Sequence, residues 1–110
     1  MEYLITDTRA GVSRRDFSLK ATDLGFDFPV DFECRHQILH GGKQEGAEVI
    51  TLRVGGMTLT VSPTRGMGVL YAQYADLRLG WDSPVKEVVN PAYMELGKQG
   101  GIGWLEGFNE

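Results

Sequence analysis

The amino-acid sequence predicts an all-β fold made of consecutive antiparallel strands. Alternating apolar and polar residues, rich in β-branched side chains, recur between positions 47 and 81, and turn residues separate these runs. Glycine occupies 15 of the 110 positions, about twice its usual share, which indicates many turns. This length favours one domain over residues 1–110, long enough to bury a modest core.

The clearest predicted element is a β-hairpin in the middle of the chain. "AEVITLRV" (47–54) and "MTLTVSP" (57–63) have the composition of strands, and a Gly-Gly pair lies between them. Side chains two positions apart share one side of a strand. The apolar side chains predicted to lie together are Ile50, Leu52 and Val54 on the first strand, and Met57, Leu59 and Val61 on the second.

Two more strands are predicted to follow the hairpin. "GVLYAQYA" (68–75) has the alternation of a third strand, with Val69, Tyr71 and Gln73 on one face. "DLRLGW" (76–81) indicates a short fourth strand. Since only short turns separate these runs, we expect a meander in which neighbours in sequence are also neighbours in the sheet.

The pattern before the hairpin is weaker. "RRDFSLKAT" (14–22) alternates and predicts a short strand. "LGFDFPVDFE" (24–33) also alternates, but Pro29 limits it to an edge strand or an extended segment. "HGGKQEG" (40–46) has the composition of a loop.

The strand pattern ends after Trp81. Pro91 is expected to begin one helical turn, with Asn90 as its cap and Gly97 as its stop.

The final segment of the chain is unusually apolar, because termini are usually polar unless they are tied down. We expect it to be either the point where a longer fold is interrupted or a short closing strand. Its apolar residues are Ile102, Trp104, Leu105 and Phe108.

Charge and composition exclude several classes of partner. The net charge is −4 and no cluster of lysine or arginine occurs, so duplex nucleic acid and anionic membranes are poor candidates. No apolar run approaches the roughly 20 residues of a membrane span, and the first residues lack the features of a secretory signal. Cys34 is the single cysteine, which fits a reducing compartment and predicts a cytoplasmic protein.

Residues typical of metal or nucleophilic chemistry occur close together, but their context is weak. His36 and His40 have the spacing that places two imidazoles on one face of a helix. The local pattern is not helical and no third ligand is evident, so we expect partly exposed histidines near a loop. Cys34 is expected to be a small buried side chain. "GKQGGIG" (97–103) lacks the strand and helix that flank a phosphate loop. We therefore expect no metal and no cofactor.

Arginine and tryptophan side chains suggest a different kind of site. Arg65 lies between a turn and Gly-Met-Gly, and its guanidinium could bind sugar hydroxyls, carboxylate or phosphate. The alternative is an ion pair with Asp76 or Asp82. Trp81 and Trp104 lie in glycine-rich settings where an aromatic face could stack on a sugar ring. The alternative for both tryptophans is burial in the core.

Several of these segments resemble one known family. They are "HGGKQEGAEVITLRVGG" (40–56), "SPTRGMGVLYAQYADLRLGWDSP" (62–84), "NPAY" (90–93) and "GIGWLEGFNE" (101–110). In this order they resemble the DUF4432 group of aldose 1-epimerase-like proteins, which have the galactose mutarotase-like fold. Gly68 departs from the pattern, since an acid is common there. The resemblance covers roughly residues 40–110.

The resemblance implies a large antiparallel β-sandwich of which this chain is the N-terminal part, and a small-molecule carbohydrate as ligand. In such epimerases a carboxylate takes the proton of the anomeric hydroxyl while a histidine protonates the ring oxygen. The family's catalytic histidine and glutamate belong to later segments, so no catalytic residue is assigned. Arg65, Trp81 and, by adjacency, Asp82 are the implied substrate-binding residues.

Three possibilities therefore remain open at the level of sequence. The chain is part of an isomerase that interconverts sugar anomers, a non-catalytic carbohydrate-binding or regulatory β-domain, or a structural fragment with no activity. Because an incomplete sandwich exposes apolar strand faces and edges, the isolated chain is predicted to be marginally stable or to self-associate.

Overall fold

A computed structural model describes residues 2–25 and 27–108. In these residues the regular structure consists of antiparallel strands and short 3-10 helices, without an α-helix. The strands are β1 (Thr6–Asp7), β2 (Val12–Ser13), β3 (Ser18–Lys20), β4 (Phe32–Ile38), β5 (Glu48–Val54), β6 (Met57–Ser62), β7 (Gly68–Tyr74) and β8 (Leu77–Leu79). The 3-10 helices are η1 (Ala21–Leu24), η2 (Gly42–Gln44), η3 (Pro63–Arg65), η4 (Pro91–Tyr93), η5 (Lys98–Gly100) and η6 (Gly103–Gly107).

The main sheet is a meander, as predicted. It has six strands in the order β3-β4-β5-β6-β7-β8, while β1 and β2 form a separate two-stranded sheet. Every pairing is antiparallel. The all-β antiparallel class is therefore confirmed. The predicted hairpin is also confirmed, since Leu52 lies opposite Leu59 and Val54 opposite Met57.

One interior strand was not predicted. The pattern over 24–33 indicates an edge strand or extended segment, but only Phe32 and Glu33 of that range belong to a strand. That strand is β4, which continues to Ile38 and pairs with β3 on one side and β5 on the other. Pro29 lies before β4, so the missing N–H of proline costs the sheet no hydrogen bond.

The face assignment of β7 needs a correction. The register shifts between Thr60 and Val61, so that Tyr71 lies opposite Thr60 whereas Val69 lies opposite Val61. Thr60 and Val61 are adjacent and point to opposite faces of the sheet. Val69 therefore does not share a face with Tyr71, because an irregularity of this kind inserts an extra residue and breaks the alternation.

The two faces of the sheet differ sharply in chemistry. The face here called the apolar face contains the core residues Cys34, Ile50 and Val61, against which Ile5 and Leu59 pack. The opposite, polar face is held by charged and hydroxyl contacts. These contacts are the ion pairs of Glu33 with Arg35 (3.1 Å) and Arg53 (3.7 Å), the Thr51–Thr60 hydrogen bond (3.2 Å) and the Arg78 guanidinium over the Tyr71 ring (5.6 Å).

The segment after β8 is irregular, with the predicted turn shorter than expected. Asn90 caps η4 through its Oδ1, which accepts from the Ala92 amide at 3.0 Å, but the turn ends at Tyr93 rather than at Gly97. The closing residues form the 3-10 helix η6, so the alternative of a closing strand is wrong for residues up to 108. The last two residues lie outside the described part.

Within residues 2–25 and 27–108 no helix has the length and apolarity needed to cross a membrane.

Candidate functional site

His36 is a structural residue. It lies on β4 and its side chain is fully buried, at 0 % exposure. Nδ1 lies 2.5 Å from the carbonyl oxygen of Arg14, and Nε2 lies 2.9 Å from the carboxylate Oε2 of Glu48. Both ring nitrogens thus contact an oxygen atom of the protein. The expectation of a partly exposed histidine is wrong for His36.

His40 and Cys34, the other residues considered for metal binding or nucleophilic chemistry, lie in environments that do not favour either. His40 is exposed and its Nδ1 lies 3.0 Å from Oε1 of Glu45, as expected for a histidine near a loop. Cys34 is buried, as predicted, and burial raises the pKa of its thiol, which makes it a poor nucleophile. Across residues 2–25 and 27–108, no group of three or more His, Cys, Asp or Glu could hold a metal ion.

Arg65 joins the C-terminal segment to the sheet. It is the last residue of η3, where the turn ends in Gly66 with a left-handed conformation (φ 67°). Its Nη1 donates a hydrogen bond to the carbonyl oxygen of Val89 at 3.2 Å. The same nitrogen lies against Gly107 of η6, so close that a Cβ added to this glycine would be 2.7 Å from it. The guanidinium is therefore packed between two segments that are far from it in the sequence.

Trp81 belongs to a cluster of exposed aromatic rings. Its ring centroid lies 5.6 Å from that of Phe108, and Phe108 packs edge-on against Trp104 at 5.2 Å. We call Trp81, Trp104 and Phe108 the aromatic cluster. These side chains are 47 %, 45 % and 38 % exposed, respectively, so the alternative in which both tryptophans fill the core is wrong.

Asp82 lies at the edge of a shallow groove beside the aromatic cluster. Its Oδ1 accepts a hydrogen bond from Nζ of Lys86 at 2.7 Å, and this contact lowers the pKa of the Asp82 carboxyl. The groove encloses about 200 Å³. Its lining combines apolar, cationic and anionic side chains, namely Leu70, Arg78, Trp81, Asp82, Ser83, Val85, Lys86 and Val88.

The C-terminal turn connects the predicted residues. Gly107 contacts Arg65, and the next residue, Phe108, contacts Trp81. The hydroxyl of Ser83 donates to the carbonyl oxygen of Phe108 at 2.7 Å, which anchors the turn to the segment that carries Asp82. Arg65, Trp81 and Asp82 therefore lie around one segment, although Arg65 does not line the groove.

Sequence reasoning does not identify Phe108 and Ser83 as site residues. Phe108 is recognisable only as an apolar residue near the chain end, and no local pattern marks Ser83. The two residues meet across a separation of 25 positions, which no turn or strand period encodes. A larger hollow of about 550 Å³ lies elsewhere, and its lining includes Asp27, Phe28 and Asp31 but none of the predicted site residues.

The fold defines the class of protein. The chain is similar to a crystal structure described as a "putative aldose 1-epimerase" from Klebsiella pneumoniae subsp. pneumoniae MGH 78578, with 43 % identity and a TM-score of 0.91. The match covers 98 % of this chain and 28 % of that chain, so this chain spans little more than a quarter of its neighbour's length. The fold is thus that of an aldose 1-epimerase-like protein.

The family follows from the sequence match. Residues 44–110 match the family described as "Domain of unknown function (DUF4432)", and the chain belongs to this family. The resemblance seen in the motifs between positions 40 and 110 is thereby confirmed. Among curated proteins nothing matches.

Proposed function

We propose that this chain binds a small-molecule carbohydrate and forms part of an aldose 1-epimerase-like protein. The observation that carries the proposal is the aromatic cluster, in which Phe108 contacts both tryptophans and all three residues remain 38–47 % exposed. Exposed apolar patches on a folded surface commonly mark binding sites. The name of the Klebsiella neighbour supports a sugar as the ligand.

The chemistry around the aromatic cluster suits a sugar. A pyranose ring has one face of C–H groups, which can stack on Trp81, and hydroxyl groups at its rim, which need polar partners. Asp82 and Lys86 supply an acceptor and a donor beside that ring. Arg65, which is packed against the neighbouring Gly107, is a third polar group of the proposed site.

We assign binding rather than catalysis to these residues. An efficient general base has a pKa near the working pH, whereas the hydrogen bond from Lys86 lowers the pKa of Asp82. His36 is buried and engaged through both ring nitrogens, so it is not accessible to a ligand. These observations favour the second candidate, a non-catalytic carbohydrate-binding β-domain, for the chain by itself.

Isomerase activity belongs to the longer protein in this proposal. The neighbour is more than three times as long as the matched region, and its further length would carry the proton-transfer groups. We accordingly propose that residues 1–110 correspond to one domain-sized part of a larger β-sandwich. A cytoplasmic location is proposed on the basis of the single, unpaired Cys34.

Titration with a panel of aldoses, followed by two-dimensional NMR, tests sugar binding. Binding should shift the indole N–H signals of Trp81 and Trp104, and Trp81→Ala should weaken the affinity at least tenfold. Tyr3→Ala is the matched control, because Tyr3 is another exposed aromatic residue and lies outside the aromatic cluster. An equal loss in both variants, or no response to any aldose, would contradict the proposal.

Polarimetry on the same aldoses separates binding from turnover. We expect binding without any acceleration of mutarotation by this chain. Acceleration that survives Trp81→Ala would show that another surface of the chain carries the activity.

A further inference from the structure

We propose that the polar face of the main sheet carries a second binding site, which takes the phosphate group of a small phosphate ester. The site is a groove over β4 and β5, here called the arginine groove, and its lining differs from that of the groove beside the aromatic cluster. Sugar binding at the aromatic cluster is not required for it.

The strand register gathers cationic side chains on the polar face. Residues directly opposite each other in an antiparallel sheet share a face. One row across all six strands contains Lys20, Glu33, Arg53, Thr58, Gln73 and Arg78, and the neighbouring row contains Ser18, Arg35, Thr51, Thr60 and Tyr71. These rows carry four cationic side chains and one carboxylate, whereas the whole chain has a net charge of −4. The polar face is therefore a part of the surface that attracts anions.

The polar face is also the one that a larger β-sandwich leaves open to solvent. A sheet packs its apolar face against the next layer, and burial of an unpaired charge is costly. The side chains of Arg35 and Arg53 are 51 % and 64 % exposed. A ligand site on the polar face is therefore compatible with a covered apolar face.

Glu33 holds two arginine side chains at the arginine groove without neutralising both of them. Its Oε1 accepts a hydrogen bond from Nη2 of Arg35 at 3.1 Å, while its Oε2 lies 3.7 Å from Nη1 of Arg53, which is too long for a hydrogen bond. Each guanidinium has five N–H donors. The three side chains together therefore keep one positive charge and further donors for an anion.

The size and chemistry of the arginine groove suit one phosphate group. The groove encloses about 110 Å³, which is room for roughly four water molecules at about 30 Å³ each. Gln37 and Thr51 also line it and add neutral hydrogen-bonding groups. A phosphate monoester has a charge of about −2 and three strong acceptor oxygens, so it can accept from two guanidinium forks more fully than a carboxylate with two oxygens.

An adjoining hollow gives room for the organic part of the ester. It encloses about 260 Å³ and shares Arg35 and Gln37 with the arginine groove. Asp16 and Ser18 also line it, and their oxygen atoms can accept hydrogen bonds from the hydroxyls of a polyol. Because the Asp16 carboxylate repels an anion, the phosphate is expected in the arginine groove and the hydroxyl groups in the hollow.

Titration of the chain with glycerol 3-phosphate at constant ionic strength, followed by two-dimensional NMR, tests the proposal. We expect saturating shifts of the side-chain N–H signals of Arg35 and Arg53, and tighter binding than with inorganic phosphate or acetate. Arg53→Gln should weaken binding about tenfold, through the loss of a charge-assisted hydrogen bond. Glu33→Gln should instead strengthen binding about threefold, because it removes the competing negative charge at nearly constant size.

The opposite directions of these two effects distinguish ligand contact from a loss of structure, which weakens binding in both variants. Arg9→Gln is the matched control, since Arg9 is exposed between β1 and β2, outside the main sheet. Circular dichroism establishes that each variant retains the β-sheet, and Arg35→Gln replaces Arg53→Gln if the latter fails to fold. Shifts that do not saturate, equal weakening by Arg9→Gln, weaker binding by Glu33→Gln, or equally tight binding of phosphate or acetate would overturn the proposal.

Discussion

The Nε2 atom of His36 on β4 lies 2.9 Å from the Oε2 atom of Glu48 on β5, with the histidine side chain fully buried. The contact belongs to a larger polar arrangement. His36 also reaches the carbonyl of Arg14, and the amide and carbonyl of Glu48 bond the hydroxyls of Thr64 and Ser62 at 2.6 and 2.9 Å. The contact between the buried His36 and the partly exposed Glu48 therefore ties together the N-terminal segment, the sheet and the turn that carries Arg65.

Replacing His36 should destabilise the protein strongly. We expect His36→Ala to lower the free energy of unfolding by about 3 kcal/mol, because Glu48 and the Arg14 carbonyl lose their hydrogen-bond partner. Urea denaturation measures the change. His40→Ala is the control, since that side chain is exposed and should leave the midpoint unchanged. Equal effects of the two substitutions would show that the His36–Glu48 contact contributes no more to stability than the exposed His40 does.

Gly103 should tolerate no larger residue. A Cβ at this position would lie 1.8 Å from the carbonyl oxygen of Glu95, a contact that requires the backbone to move. Gly103→Ala should therefore cost about 1–3 kcal/mol, the usual range for overpacking, and shift the NMR signals of Trp104. Gly97→Ala is the matched control, because no atom lies within 4 Å of its Cβ position and its φ is −79°. A similar loss at Gly97 would contradict the steric explanation.

Arg65→Ala should loosen the C-terminal turn. The substitution removes the donor to the Val89 carbonyl and the contact with Gly107, at a cost of about 1–2 kcal/mol. Thermal unfolding gives the loss of stability, and amide hydrogen exchange locates it. We expect faster exchange around η6 and unchanged exchange in β5. Faster amide hydrogen exchange throughout the sheet would instead show that Arg65 stabilises the whole fold and would contradict this prediction.

The C-terminal turns should also respond to acid. Nζ of Lys98 bonds Oε1 of Glu106 at 2.7 Å, and this hydrogen bond is the main reason why the pKa of Glu106 is lowered. Because the pKa of Glu106 is lower in the folded state, its ionised carboxylate stabilises the folded chain fully at pH values above the unfolded-state pKa. This stabilisation disappears as the pH falls through the folded-state pKa. Acidification should therefore loosen the contact of η5 with η6.

Tryptophan fluorescence measured against pH tests this response. The signal from Trp104 should change in the acidic range, and Glu106→Gln should remove that transition because glutamine does not titrate. Asp82→Asn is the control, since Asp82 pairs with Lys86 and not with Lys98. A transition that persists in Glu106→Gln and vanishes in Asp82→Asn would assign the response to Asp82 and contradict this prediction.

Much of the sheet follows from local sequence. The hairpin of β5 and β6, the strand β7 and the short β8 were predictable because alternation and turn residues act over a few positions. β3 and the loop at residues 40–46 follow for the same reason. These features need no information from distant parts of the chain.

Only the tertiary structure decided the rest. β4 is an interior strand because β3 and β5 pair with both of its edges, which its mixed sequence does not reveal. The register shift beside Val61 places Val69 on the opposite face from the one predicted. The alternation of residues in the sequence does not show where such an irregularity occurs. The aromatic cluster depends on a turn that returns Phe108 to Trp81, and the burial of His36 depends on Arg14 and Glu48. Contacts between distant positions arise from packing, which no local period encodes.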